Sequence, residues 1–153
     1  MKIAIEQAKK AKELKEIPVG AVMVSAKSKQ VLSTGHNTVY KDRDPTAHAE
    51  INIIRKTSKT LGTTKLDMCD MYVTLEPCAM CAAAISLARI KRVFFGAYDV
   101  KGGGVEHGVR FFSAEMCLYA PEVFGGLMEI ECRSMLEAFF SELRKPFGYS
   151  DRP

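Results

Sequence analysis

The chain has 153 residues, of which 47% are hydrophobic and 26% are charged, and its formal net charge is +4 at pH 7. This length and balance predict one globular domain over residues 1–153 with a single core. No apolar run approaches the ~18 residues that a bilayer span requires, and the N-terminus lacks the apolar block of a signal peptide. We therefore expect a cytoplasmic protein without a membrane segment. The positive charge is compatible with a polyanionic partner but does not by itself indicate one.

The first third of the chain predicts a helix, a hairpin and a second helix. Apolar residues recur at three- and four-residue steps over residues 2–15, which is typical of an amphipathic helix. The β-branched run at 19–24 predicts a buried strand that pairs in a hairpin with residues 30–35. A polar loop over 36–46 then leads to a helix over about 47–57, and the last residue of that loop, Thr46, is a candidate N-cap.

The rest of the chain predicts a strand, a helix and a strand in succession, at residues 70–75, 78–87 and 92–97. A βαβ unit of this kind places its two strands parallel. A further strand is expected within 116–124, where Pro121 favours a sheet edge, and a helix over 128–143 ends the pattern. The expected fold class is therefore α/β, with a mixed sheet between helices.

Three residues form a candidate metal site: His48, Cys78 and Cys81. One imidazole and two thiolates are a donor set that suits zinc, and three protein ligands leave a fourth position open, as in catalytic rather than structural sites. Cys78 and Cys81 lie three residues apart at a predicted helix start, so one turn brings both sulfurs to the same side. The positive end of the helix dipole there favours thiolate over thiol.

Glu50 is the candidate catalytic residue, because it lies two residues after His48 and can move a proton for whatever occupies the open position. A metal ion beside a proton-shuttling carboxylate is the arrangement that hydrolytic deamination of a nucleobase requires. Residues i and i+2 lie about 200° apart on a helix, however, so the spacing alone does not place His48 and Glu50 on one face.

Other interpretations of these motifs remain open at this point. A Cys-x-x-Cys pair is often half of a structural zinc site or a redox pair. Cys69 and His107 are the spare candidates for closing a structural site, and neither has a paired spacing. A non-catalytic, zinc-stabilised RNA-binding protein would carry the same ligands.

The chain resembles the bacterial tRNA-specific adenosine deaminases, within the cytidine deaminase-like superfamily, over nearly all of its length. The segments that carry the resemblance are EIPVGAV at 16–22, DPTAHAEI at 44–51, YVTLEPCAMC at 72–81, VFFGA at 93–97 with Asp99 and Lys101-Gly102 after it, and Glu131-Cys132 with Phe139-Phe140. Guanine and cytosine deaminases that act on a free base or nucleoside share the metal motifs, so they are the alternative within enzymes.

The resemblance implies a three-layer α/β/α fold with a five-stranded sheet, one zinc ion per subunit and a homodimer. It implies hydrolysis of the wobble adenosine of a tRNA anticodon to inosine. Asn37 lies where the family has an asparagine that hydrogen-bonds the flipped nucleotide. Arg144 and Lys145 are candidates for contacts with RNA phosphates. Residues 104–117 depart from the family's pattern in a region that borders the substrate in the family.

Overall fold

Five strands form one mixed sheet in the computed structural model, which describes residues 1–144. Their order across the sheet is β2-β1-β3-β4-β5. β1 is antiparallel to both β2 and β3, whereas β4 is parallel to β3 and β5. The strands are β1 (Gly20–Ser25), β2 (Val31–His36), β3 (Cys69–Leu75), β4 (Arg92–Ala97) and β5 (Glu122–Phe124).

Helices cover both faces of this sheet, which confirms the expected three-layer fold. One face packs against α1 and α5, and the other packs against α3, which has α4 beside it. A short helix, α2, lies in the loop between β2 and α3. The helices are α1 (Lys2–Glu13), α2 (Val39–Asp42), α3 (Ala49–Leu61), α4 (Ala79–Ala88) and α5 (Glu129–Arg144). Within residues 1–144 no helix is both long and apolar enough to cross a bilayer.

The sheet lies close to α1 because small residues line the contact. A Cβ atom on Gly20 would collide with the backbone of Ala4 and Ala8 in α1. On the adjacent strand, a Cβ on Gly35 would lie 2.9 Å from Ile53 of α3 on the opposite face. Alternation along β1 and β2 therefore directs successive residues to the two helical layers, as a two-residue period requires.

The βαβ unit is confirmed, since β3 and β4 pair in parallel with α4 between them. The last strand lies at the sheet edge and has only three residues, because Pro121 immediately before it cannot donate a ladder hydrogen bond. The prediction for residues 36–46 was incomplete, since the expected loop contains α2. Its four residues are too few to show a helical period in the sequence.

The carboxyl ends of β2, β3 and β4 point to the same edge of the sheet, because β2 and β4 both run in the direction of β3. Loops that leave these three ends converge there, as is general for ligand sites in α/β sheets. Chemically active residues that lie far apart in the sequence are thereby brought into one region.

Candidate functional site

A cavity of about 710 Å³ opens at this edge of the sheet. Its size falls in the range that holds one small ligand or nucleoside. His48, Glu50 and Cys78 line the cavity together with Asn37, which follows β2, and Tyr98, which follows β4. The sheet edge thus gathers most of the residues that the motifs singled out.

The three candidate metal ligands lie together. One ligand atom from each of His48, Cys78 and Cys81 lies within 4.8 Å of the others. The Nδ1 atom of His48 is 3.7 Å from Sγ of Cys78 and 3.5 Å from Sγ of Cys81. Cys78 is the N-cap residue of α4 and Cys81 lies in its first turn, so the helix start sets the sulfur–sulfur arrangement. The donor set and its spacing therefore fit a tetrahedral zinc ion.

His48 lies just outside α3 rather than within it. It is the N-cap residue, with extended backbone angles of φ −70° and ψ 154°, and α3 begins at Ala49. The helical offset of 200° therefore does not apply between His48 and Glu50, and both side chains line the same cavity. The expectation that Thr46 caps this helix was wrong: its N–H and hydroxyl both donate to Oδ1 of Asp44, at 2.8 and 2.7 Å.

Contacts within the cluster shift the protonation of its members. A hydrogen bond from the Cys81 thiol lowers the pKa of Cys78 to about 4, despite partial burial. The same interaction, together with burial, raises the pKa of Cys81. The hydrogen bond with Cys78 raises the pKa of His48. These surroundings favour the thiolate form of Cys78, which is the form that binds metals.

Glu50 is buried, with 4% of its surface exposed. Burial raises the pKa of its carboxyl group to about 7, although a hydrogen bond from its own backbone N–H partly opposes this. A carboxyl group whose pKa lies near neutrality can both take up and release a proton at physiological pH. Glu50 thus has the location and the acidity that a proton shuttle needs.

Asn37 also lines the cavity, and it is 4% exposed. Its Nδ2 atom donates to Oε2 of Glu16 at 3.2 Å, and its backbone N–H donates to Val19 O at 3.0 Å. Glu16 is fully buried. The motif reasoning identified Asn37 but not Glu16, since the contact joins residues 21 positions apart.

Glu76 is a second buried carboxylate that the sequence did not single out. It immediately precedes Pro77-Cys78, and its Oε1 atom accepts from the backbone N–H groups of 105, 106 and 107, at 3.3, 2.8 and 2.9 Å. Oε2 accepts from the N–H of Asp99 at 3.0 Å and from Nδ1 of His107 at 2.8 Å. Glu76 thereby fastens the segment after β4 against the start of α4.

The segment 104–117, which the sequence alone led us to expect as a departure from the family pattern, packs against this anchor. The N–H of Gly104 donates to Pro77 O at 2.8 Å, and a Cβ on Gly104 would lie 2.5 Å from the backbone nitrogen of Ala79. Phe111 and Phe112 pack against the hydrophobic core. This segment is therefore attached to the same helix start that carries the candidate ligands.

Comparison with known proteins shows to which family the chain belongs. The family model of the cytidine and deoxycytidylate deaminase zinc-binding region matches residues 1–97. A tRNA-specific adenosine deaminase of Agrobacterium fabrum is 49% identical over 144 residues, which are 94% of this chain and 93% of that protein. The chain belongs to the zinc-binding deaminase family that this model describes, among the tRNA-specific adenosine deaminases.

Two further relatives agree with that membership. The tRNA-specific adenosine deaminase of Bacillus subtilis is 44% identical over 145 residues, covering 95% of this chain and 89% of that protein. A solved structure from a study of A-to-I editing by tRNA:A34 deaminases at the wobble position of transfer RNA superimposes with a TM-score of 0.86. It is 49% identical and the match covers 89% of this chain and 97% of that one.

Basic side chains also line the cavity, and they come from two elements. Arg144 lies at the end of α5, where its Nε atom donates to Phe140 O at 3.3 Å. Arg133, earlier in α5, and Lys101 after β4 line the cavity as well. The sequence did not predict a role for Arg133 or Lys101. Arg133, Phe140 and Arg144 nevertheless have the spacing of one helix face. Lys145 lies outside the described residues.

Proposed function

We propose that this chain catalyses the zinc-dependent hydrolysis of adenosine to inosine at the wobble position of a tRNA anticodon, with release of ammonia. One observation supports the proposal most directly: a His, Cys, Cys donor set and a buried glutamate lie at the same cavity. This arrangement occurs in a chain whose curated relatives are named tRNA-specific adenosine deaminases. We further propose that residues 1–153 form one deaminase domain.

In this proposal His48, Cys78 and Cys81 hold one zinc ion. Two thiolates and one neutral imidazole balance the charge of the ion and leave one position for a small ligand. When bound, zinc supplies Lewis-acid chemistry that lowers the pKa of a coordinated water molecule toward about 7. The zinc-binding family to which the chain belongs supports this assignment.

Glu50 moves the protons in this scheme. Its carboxylate takes one proton from the attacking water and delivers it to the ring nitrogen, and it then takes the second proton from the newly added hydroxyl group and delivers it to the departing amine. The balanced reaction is adenosine plus water to inosine plus ammonia. Burial raises the pKa of the Glu50 carboxyl to about 7, which supports this role, since such a group can both accept and release a proton.

The cavity can receive a substrate nucleotide that is flipped out of the stack of an RNA chain. Anticodon loops are single-stranded, so a base can be extruded into a pocket at modest cost. Asn37 faces this pocket and supplies an amide for hydrogen bonding. Arg144 and Lys145 are proposed to contact the flanking phosphates, where an arginine suits bidentate binding. Arg133 and Lys101 at the same cavity support this interpretation.

We also propose a homodimer. An exposed apolar patch on the described part of the chain supports it: Leu87 at the end of α4, Met116 and Leu118 are 73%, 73% and 87% exposed. Hydrogen bonds of Ser86 with Cys117 and Tyr119 hold these two stretches together. Met116→Glu/Leu118→Glu should convert the dimer to a monomer in sedimentation experiments, while Ile130→Glu on α5, another exposed apolar position, should not. A monomeric wild type would contradict this part of the proposal.

The proposed reaction is tested with an anticodon stem-loop that carries adenine at the wobble position. The zinc-loaded protein is incubated in parallel with the stem-loop, adenosine, guanine and cytosine, and inosine and ammonia are measured. We expect turnover of the stem-loop and little turnover of the free compounds. Equal or faster turnover of a free base or nucleoside would identify a free-base deaminase instead. The absence of ammonia from all four would contradict an enzymatic function.

A further inference from the structure

The side-chain amide of Asn37 is held in one orientation by a buried carboxylate. Nδ2 of Asn37 lies 3.2 Å from Oε2 of Glu16, and the other carboxylate oxygen of Glu16 accepts from the backbone N–H of Lys41 at 2.8 Å. Glu16 is fully buried and Asn37 is 4% exposed, so neither group exchanges freely with solvent. Both oxygens of Glu16 are thus engaged by donors.

The backbone on both sides of this contact is fixed. The N–H of Asn37 donates to Val19 O at 3.0 Å, and the N–H of Glu16 donates to Ala11 O at 2.9 Å. The carbonyl of His36 accepts from Nδ2 of Asn52 at 2.9 Å. With both backbones held and both side chains buried, the two possible orientations of the Asn37 amide differ in which end, the NH₂ group or the oxygen, faces Glu16.

The Glu16 carboxylate determines which end of the Asn37 amide group faces it. An ionised carboxylate is an acceptor only, so the NH₂ group of Asn37 must face Glu16 and the oxygen must face away. Within residues 1–144 no group donates to this oxygen, yet every fully buried side-chain nitrogen or oxygen there has a hydrogen-bond partner. The Oδ1 atom of Asn37 is therefore not fully buried, and the open space that Asn37 lines is the cavity.

We infer that Glu16 is a positioning residue for substrate recognition: it orients Asn37 so that a hydrogen-bond acceptor faces the nucleotide. This inference rests on the proposed function. The partner on the substrate must then be a donor. An adenosine within an RNA chain has two such groups, its exocyclic amine and its ribose 2′-hydroxyl. Glu16 does not touch the substrate and acts through Asn37.

The test exchanges the chemistry of the two residues. In Glu16→Gln, the new amide can donate to Oδ1 of Asn37, so the Asn37 amide turns and presents its NH₂ group to the cavity. In Asn37→Asp, two carboxylates face each other across the contact. In the double variant Glu16→Gln/Asn37→Asp, the introduced amide donates to one oxygen of the introduced carboxylate, while the other oxygen again faces the nucleotide. The formal charge of the double variant equals that of the wild type.

We expect each single variant to lose at least about tenfold in kcat/KM on the stem-loop, the scale of one hydrogen bond, and the double variant to recover most of that loss. Asp70→Asn is the matched control. It makes the same chemical change at another buried carboxylate: Asp70 lies near the start of β3 and pairs with Arg92 of β4. This control should lower the melting temperature and leave kcat/KM within about twofold. A double variant no better than Asn37→Asp would overturn the inference, even if Glu16→Gln alone failed to fold.

Stem-loops with 2′-deoxyadenosine at the wobble position separate the two donors. If Oδ1 accepts from the 2′-hydroxyl, the deoxy change lowers kcat/KM for the wild type but not for Asn37→Ala. If it accepts from the exocyclic amine, the deoxy change affects both equally. Either pattern requires Asn37→Ala to be impaired on the ordinary stem-loop, and an unimpaired Asn37→Ala would overturn the inference.

An NMR measurement tests the orientation independently of activity. The side-chain amide resonance that disappears in Asn37→Asp belongs to Asn37. In the wild type one of its protons should be shifted downfield and protected from exchange, and Glu16→Gln should abolish both properties. A resonance unchanged in Glu16→Gln would overturn the inference. If the wild type turned over no stem-loop, the proposed function would fail while this measurement still reported on Glu16.

Discussion

Nδ1 of His107 lies 2.8 Å from Oε2 of Glu76, a contact that joins residues 31 positions apart. An ionised carboxylate only accepts hydrogen bonds, so the proton of a neutral His107 lies on Nδ1. Burial opposes ionisation of Glu76, but the N–H groups of His107 and Asp99 and the His107 ring outweigh it and lower the pKa of this carboxyl. A single ionised side chain thus organises the loop beside the metal motif.

Replacing Glu76 should destabilise the protein strongly. In Glu76→Gln one acceptor oxygen becomes a donor, so at least one buried N–H loses its partner. We expect a loss of about 2–4 kcal/mol in the free energy of unfolding, measured by urea denaturation. His107→Gln serves as the matched control, since it removes one contact and leaves the four backbone N–H groups paired, and it should cost about 1 kcal/mol or less. Equal losses in the two variants would contradict the role given to the carboxylate.

Glu50→Gln should abolish deamination without loss of the metal. The amide keeps the size of the side chain but cannot take up a proton, so kcat should fall by roughly 10²–10⁴-fold. Zinc content, measured by mass spectrometry of the purified protein, should remain near one ion per chain because Glu50 is not a proposed ligand. Substantial residual kcat with zinc in place would show that another group moves the proton.

Cys78→Ala should lose zinc and, with it, stability. Two remaining ligands bind the ion far more weakly than three, and metal that binds only the folded state stabilises it. We expect substoichiometric zinc and a lower melting temperature. Cys117→Ala is the control, because Cys117 is a half-buried cysteine outside the cluster. Full zinc content in Cys78→Ala would identify the wrong ligand set.

The stability of the protein should fall on acidification in part because of His36. Burial, followed by the positive charges of Lys41 and Lys10, lowers the pKa of His36 below its ordinary 6.5. The unfolded chain therefore binds a proton at this residue at a higher pH than the folded chain does. Stability is lost as pH falls from 6.5 toward the folded pKa.

This effect is measured by urea denaturation of the wild type and His36→Gln between pH 8 and pH 5. The variant keeps a polar group near Gln7, whose Oε1 lies 3.4 Å from Nδ1 of His36, but it does not titrate. The free energy of unfolding of His36→Gln should decline less steeply below pH 6.5. Parallel curves for the two proteins would exclude His36 as a contributor.

Much of the fold could be predicted because its signals are local. The apolar runs in β3 and β4 and the alanine-rich α4 between them indicated a parallel pair without any distant information. The candidate ligands were predictable for the same reason, since Cys78 and Cys81 share one helical turn. The roles of Glu16 and Glu76 were not, because a carboxylate in a sequence is normally a solvated surface group.

The relation between His48 and Glu50 shows a different limit. Helix periodicity treats both as helical residues, whereas His48 caps the helix with an extended backbone. This helix, α3, begins two residues later than the sequence pattern predicted. A shift of that size is too small for a sequence pattern to resolve, yet it determines whether His48 and Glu50 can share one site. The short α2 was likewise hidden, because its four residues offer no repeat.

The anchor at Glu76 also bears on how this protein could evolve. Four of its five donors are backbone N–H groups, at residues 99, 105, 106 and 107. Any amino acid except proline supplies such a group. The side chains of that loop that do not pack in the core can therefore diversify, by natural drift or by directed evolution, while the backbone attachment to the helix that bears Cys78 and Cys81 is kept. Libraries that vary residues 106 and 107 without proline, and keep the buried Val105, should retain folded, zinc-binding members at high frequency.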